Sequence, residues 1–496
     1  MRPPADLATG NPLVTPRSLG SHPVPAAGRE RGALRRPWPF RRVAVVLSGG
    51  GALAAYEVGA LNVLEAVGLR PAILAGVSAG AINAVVWLSL GFRTEPLART
   101  WKSLRPSSVG VRWVTLALRA AGGFVAALAA LEAILTLAGS PEVGLLGRLR
   151  GAQNPAALQL YSALVESAAW AAAGLGGLLV ARFSHELEDA VARVAGLADP
   201  ERWRRWLGWG LGVGVAAYGA VLALGVAWPR RLHASLLLAG ALVWLANRPG
   251  RGRSWLRDLF LRLMPETGGK GLWRGTARRR LIERMVAGGD AARLVGGDVH
   301  LIMSACALDN GRMSYFINWR EPSPEFRDRI DQALGEVVVL EQPRDVIDAA
   351  VASSAVPLVF EPAQVLGREH LDGGVFSNQP LRAAVADGAD AVLMVLVSPS
   401  SGPRAPSGQP NLVEVGARLQ ELANWRDLQT ELRQLPAGWS RQGDPARVCV
   451  VEPESALSGT LLVFDPEHAT ELIRLGEEDA WRALEKAGWL GDLPAL

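Results

Sequence analysis

Ser78 stands between two glycines in "AGVSAG", after the apolar run "AIL" and ahead of "AINAVVWL". A serine framed as G-x-S-x-G suits a nucleophile elbow, where the chain turns so sharply from strand to helix that only small residues fit beside the hydroxyl. An ordinary glycine-rich turn has the same five letters, so the assignment depends on what else the chain offers. A serine hydroxyl attacks a carbonyl only when a neighbouring group takes its proton. The oxyanion that forms then needs hydrogen-bond donors.

Donors are available upstream. Gly49, Gly50 and Gly51 in "LSGGGALA" follow the first apolar run and open a helix-like stretch. Glycine N–H groups at a helix N-terminus can approach a developing oxyanion closely, and the helix end adds partial positive charge. Gly49, Gly51 and Ala54 also fit G-x-G-x-x-A, the dinucleotide fingerprint. That site needs an acidic residue ending the second strand, and "LAGVSAG" offers none there. A P-loop is excluded because no Gly-Lys-Ser/Thr follows.

A base is harder to find. Of the six histidines, His22 falls in the N-terminal tail, and His185 and His233 fall within or beside an apolar stretch. His300 falls in an expected strand, which leaves His370 and His468. The better candidate is Asp372 in "REHLDGGVFSNQP", after a strand-like stretch, because Gly373 and Gly374 let the loop fold tightly around its carboxylate. The chain order Ser78, Asp372, His468 also permits an α/β-hydrolase triad, an alternative that makes His468 indispensable.

The elements that must hold these residues can be read from hydrophobic periodicity. Residues 42–47 form a buried strand, 52–67 a helix, and 72–75 a second strand leading into the Ser78 turn and a helix through about residue 90. This β-α-β-α order implies a largely parallel sheet covered by helices. Further strands are expected at 299–305, 336–340 and 390–397 and in "ARVCVVEPE", with a loop or short linker at 398–410. An amphipathic helix over "PEHATELIRLGEEDAWRALEKAG" closes the chain, with Leu472, Leu475, Ala480 and Leu484 on its buried face.

Between about 113 and 254 the character changes. "WLGWGLGVGVAAYGAVLALGVAW" (206–228) has no charged residue, and as a helix it would span about 30 Å or a little more, the thickness of a bilayer core. Residues 232–247 can form the return arm, while 113–139 and 155–181 are further candidates that carry one or two charges each. The insertion is therefore expected to supply two to four membrane segments. Both catalytic halves must meet on one side, so the number of full crossings is even. Arg230 and Arg231 between the last two segments then fall outside, mildly against the positive-inside tendency.

"SGGGALAAYEVGAL", "GVSAG", "AAVASSAVPLVFEP" and "LDGG", in this order, resemble the patatin-like phospholipase family over roughly residues 42–104 and 290–488. The resemblance implies a three-layer α/β/α sandwich, here interrupted by the apolar, transmembrane-type helical insertion. It implies a two-residue dyad without histidine, with Ser78 as nucleophile and Asp372 as general base. It also implies that the N–H groups of Gly49, Gly50 and Gly51 form the oxyanion hole, and that no metal or cofactor takes part. Ala54 departs from the family's usual glycine, and the insertion departs from its length.

Composition sets the outer bounds. The 496 residues carry 49% hydrophobic residues and a net charge of +5. Residues 1–42 hold eight arginines against Asp6 and Glu30, so residues 1–40 read as a disordered tail with weak attraction to anionic lipid. Nucleic-acid binding rests on that tail alone and is not expected. Cys306 and Cys449, both in apolar runs, form neither a disulfide framework nor a metal site. The tail has no apolar h-region, so the catalytic part, over 41–112 and 255–496, is expected in the cytoplasm. The sequence therefore points to a membrane-associated serine lipid acyl hydrolase with membrane lipids as partners. A catalytically silent membrane scaffold or lipid-binding protein on the same fold is the alternative.

Overall fold

The computed structural model describes residues 33–35, 38–112, 270–296, 299–402, 412–462 and 464–491, with isolated positions between 119 and 183. The candidate spans 206–228 and 232–247 lie outside the described residues, as do 113–139 and 155–181 apart from isolated positions. Among the described residues, no helix is long and apolar enough to cross a membrane.

The chain enters with β1 (Ala33–Leu34), β2 (Val43–Leu47) and a 3-10 turn, Gly51–Ala54, that runs straight into α1 (Ala55–Ala66). Next come β3 (Ile73–Val77), α2 (Ala79–Ser89) and α3 (Glu95–Trp101). Beyond the insertion come α4 (Thr276–Ala287), β4 (His300–Ala307), β5 (Met313–Ile317), α5 (Pro324–Gln332), β6 (Gly335–Val339) and α6 (Pro343–Ser353). They are followed by β7 (Ala363–Val365), β8 (Arg368–Asp372), α7 (Leu381–Ala386) and β9 (Ala391–Val395). The chain closes with α8 (Leu412–Arg433), β10 (Val448–Val451), α9 (Pro466–Lys486) and β11 (Leu490–Gly491).

The main sheet has the order β10-β9-β2-β3-β4-β5-β6. The pairs from β10 to β4 are parallel, β5 is antiparallel to β4, and β6 is parallel to β5. β2, β3 and β9 are buried and free of polar side chains at every position, as suits strands covered on both faces. Alternate side chains feed two cores: Val43, Val45 and Leu47 of β2 join one, and Ala44 and Val46 the other. Helices cover both faces, giving the three-layer α/β/α sandwich. In the larger core α1 packs on α9 so closely that a Cβ on Gly59 would strike the Ile473 carbonyl and one on Gly476 the Tyr56 carbonyl.

Three differences from the sequence reading have physical causes. Order begins before residue 41, because Ala33–Leu34 pairs antiparallel with Leu490–Gly491 and the Trp38 and Phe40 rings pack against buried Trp489. Arginine-rich composition hid these few apolar anchors. Helix α8, which follows the 398–410 loop, mixes charge with apolar residues and so resembled no amphipathic pattern. β5 carries little sequence signal, because "MSYFI" is short and lies beside a run of turn residues.

The order of strands on β4 explains how two distant sequence segments meet. β5 occupies one edge of β4 at residues 302–306. β3 pairs with residues 300–304 and β8 with 305–307, and both must use the other edge. β3 runs toward this junction and β8 runs back toward it, since one is parallel and the other antiparallel to β4. Val77 pairs with Ser304 and Asp372 with Ala305. The ends of β3 and β8 therefore face each other head-on.

Candidate active site

Ser78 is the first residue after β3, with φ 55° and ψ −127°, a conformation that strains any residue with a Cβ. The framing glycines are required by contact. A Cβ on Gly76 would lie 2.6 Å from the Gly80 carbonyl oxygen, and one on Gly80 would lie 2.6 Å from that of Ser48. The strained serine thus sits where β2, β3 and the start of α2 converge, as a nucleophile elbow demands.

Asp372 meets it from β8. The Ser78 hydroxyl donates to Asp372 Oδ2 at 2.6 Å, and the Gly374 N–H donates to Oδ1 at 2.8 Å. Ser78 is 6% and Asp372 4% exposed. Burial lifts the Asp372 carboxyl from the usual 3.8 to about 6, against the opposing pull of the Ser78 and Gly374 hydrogen bonds and the Arg278 charge. A carboxylate near 6 is ionised at neutral pH yet basic enough to accept a proton, which suits a general base.

The histidines lie elsewhere. His468 Nε2 is 2.8 Å from the Ser458 carbonyl oxygen. His370 contacts Ser314 Oγ at 3.2 Å and the Arg368 carbonyl at 3.0 Å. His300 bonds Asp387 and stacks on Trp319. Among the described residues, no histidine hydrogen-bonds Ser78 or Asp372, so the geometry does not assemble a triad through His468.

The glycine loop divides its labour. The Gly49 N–H donates to the Asn378 carbonyl at 3.0 Å, and Asn378 Nδ2 returns a bond to the Gly49 carbonyl at 2.9 Å. That two-point clamp fixes the glycine loop to the Asp372 loop and uses the amide of Gly49. A Cβ on Gly49 would collide with Asn378 Oδ1, so the residue serves close approach. Among the described residues, the amides of Gly50 and Gly51 have no acceptor. Ala54 leaves the loop intact: its carbonyl accepts from Asn83, which also donates to buried Glu57 at 2.8 Å and accepts from Trp101. This chain ties α1, α2 and α3 together behind the elbow.

Three contributors went unrecognised in the sequence. Ser353 Oγ accepts the Ser78 N–H at 2.9 Å and donates to the Ser304 carbonyl at 2.7 Å, anchoring the elbow to β4. Arg278, on α4, is buried with its guanidinium 4.0 Å from the Phe360 ring centroid and Nη2 donating to the Val351 carbonyl at 3.1 Å. Desolvation brings it down to about 10, so it keeps its charge near Asp372. Asn378 is the third. Ser353 and Asn378 lie inside quoted motifs, but Arg278 stands in "TARRRLIERM", which reads as a solvated basic face.

A family model described as patatin-like phospholipase matches residues 45–385. Among solved structures, the chain is similar to VipD from Legionella pneumophila, at 14% identity and a TM-score of 0.33, over 90% of this chain and 67% of that one. It is also similar to the type III effector protein ExoU, at 15% identity and a TM-score of 0.28, over 91% of this chain and 54% of that one. No curated protein matches the chain.

Proposed function

This chain belongs to the patatin-like phospholipase family, and from that premise we propose a membrane-associated lipid acyl hydrolase that works through a Ser78–Asp372 dyad. Ser78 Oγ attacks the ester carbonyl as its proton passes to Asp372 Oδ2. The Gly50 and Gly51 amides, at the start of the helical run into α1, receive the oxyanion. Expulsion of the alcohol takes the proton from Asp372 and leaves an acyl-serine. Asp372 then accepts a proton from water, whose oxygen attacks the acyl carbonyl. Collapse of that second intermediate returns the proton to Ser78 Oγ and releases the fatty acid.

The observation that carries this reading is the 2.6 Å bond between a strained, buried serine and a buried carboxylate lifted to about 6. Membrane association is supported by the uncharged stretch 206–228, which has the length of a bilayer core. Anchoring would hold the site at the surface where diacyl substrates reside.

Fluorophosphonate labelling of the detergent-solubilised protein tests the dyad. Wild type should label, Ser78→Ala should not, and Asp372→Asn should label far more slowly. Undiminished labelling in either variant, or none in well-folded wild type, would sink the mechanism.

A further inference from the structure

Three leucines stand where neither folding nor hydration favours them. Leu334, Leu358 and Leu366 have φ values of 55°, 67° and 48°, the left-handed region that glycine or asparagine adopts at far lower cost. They are 74%, 84% and 58% exposed, so little burial offsets the strain. Phe92 shows the contrast. It too has a positive φ, but its buried ring packs edge-on against Trp87 at 4.8 Å.

All three leucines emerge at one end of the sheet. β5 and β6 run opposite to β4, so Leu334, just ahead of β6, lies at the end where β4 finishes. Leu366 is in the turn of the β7–β8 hairpin, beyond Ala307. Leu358 comes three residues after Ala355, whose carbonyl accepts the Asp372 N–H at 3.0 Å, and its own carbonyl accepts the Leu272 N–H at 3.0 Å. Ser78, just past the end of β3, and Asp372, at the end of β8, lie toward this same end of β4. Phe376, beside the Gly374 loop, and Leu461, whose carbonyl accepts the Ala52 N–H, are exposed as well.

The insertion is rooted here as well. Gly110 lies against Ala277 and Arg274, so the chain leaves and returns at neighbouring points, next to the Trp273–Phe360 bridge. Between those points lies the uncharged stretch 206–228. Single leucines on three separate turns suit a fluid apolar phase better than the one fixed groove a folded partner would fill.

We propose that this end of the sheet is a membrane-docking surface, on which Leu334, Leu358 and Leu366 enter a phospholipid bilayer and hold the Ser78 end of the fold against it. The choice of occupant rests on the lipid-hydrolase reading above; the placement of the leucines does not.

The natural cysteines Cys306 and Cys449 are buried, so one introduced cysteine can be labelled selectively. Bimane on Leu334→Cys, Leu358→Cys or Leu366→Cys, in full-length protein reconstituted into phosphatidylcholine vesicles, should shift to the blue. Doxyl-labelled lipid should quench it at least twofold. Bimane on Glu321→Cys, exposed at the opposite end after β5, should not respond. Equal quenching at 321 and 358, or none at the leucine positions, overturns the proposal. A blue-shifted label that doxyl lipid leaves unquenched would mean that protein covers the leucines. That protein is a second copy if the shift grows with concentration, and residues 113–269 if it does not. Either result also overturns it.

A triple variant, Leu334→Asn with Leu358→Asn and Leu366→Asn, suits the left-handed turns and should stay folded. Its hydrolysis of vesicle phospholipid should fall at least tenfold while cleavage of a soluble short-chain ester is unchanged. Equal loss on both substrates overturns the docking role. Lipid quenching in a wild type that cleaves no ester would uphold docking and sink the hydrolase reading alone.

Discussion

Replacing Asp372 with asparagine should abolish hydrolysis and stabilise the fold. The wild-type carboxyl is lifted from 3.8 to about 6 in the folded state, with burial as the largest cause and the relief from Ser78, Gly374 and Arg278 already included. A tenfold change in proton affinity is worth about 1.4 kcal/mol, so holding this group ionised costs the folded state about 3 kcal/mol at neutral pH. A raised pKa gives stability that is complete below about 3.8 and lost as pH rises through about 6. Asparagine carries no charge to desolvate, and its amide can still accept from Gly374 and meet Ser78. Asp372→Asn should therefore melt at least a few degrees above wild type at pH 8. The difference should shrink as pH falls through 6 and close near 4. Paired thermal melts of the two proteins in one detergent across that range isolate this group, because other titrations are common to both. A gap that does not change with pH, or a variant less stable at pH 8, would refute the argument that burial sets this carboxyl's proton affinity.

Other outcomes follow from the same geometry. For a soluble ester, kcat/KM should fall tenfold per pH unit below about 6, and Arg278→Gln should move that limb upward, since Arg278 opposes the rise at Asp372; an unmoved limb would remove Arg278 from the site. Ser353→Ala strands the Ser78 N–H, a loss of about 1–3 kcal/mol, and should lower labelling by fluorophosphonate about tenfold or more without unfolding the protein. Gly80→Ala drives a methyl to 2.6 Å from the Ser48 carbonyl oxygen and should cost about 3 kcal/mol. Gly68→Ala, at a positive φ with open space around it, should cost only about 1 kcal/mol; equal melting temperatures for these two variants would contradict the contact argument.

Much of the candidate site's local geometry was legible in the sequence because its demands are local. Gly76 and Gly80 must be small whatever surrounds the domain, since a Cβ on Gly76 would strike the Gly80 carbonyl and one on Gly80 the carbonyls of Leu47 and Ser48, and that requirement appears as a fixed spacing around Ser78. The β-α-β-α opening and the closing helix were legible through periodicity, because both bury a regular stripe or a continuous run. The β1–β11 pairing was not, since two residues at each end form it only when the termini meet.

Which amides of the glycine loop remain free was also beyond the sequence. Gly49, Gly50 and Gly51 are identical as letters, and only the arrival of Asn378 from the Asp372 loop engages the first of them. Ser353 and Arg278 owe their place beside the elbow to α6 and α4, whose positions depend on packing across the sheet.

What the sequence determined by itself was a set of residues able to do chemistry: a serine between glycines, an aspartate before two more, and a glycine run ahead of a helix. These follow from steric and acid–base needs that a few adjacent residues satisfy. The tertiary structure alone decided that β3 and β8 share an edge of β4, which brings Ser78 to 2.6 Å from Asp372. It alone decided that three leucines would take left-handed turns at that same end. Strand pairing and turn handedness arise from contacts between segments far apart in the chain, and a residue's type does not record them.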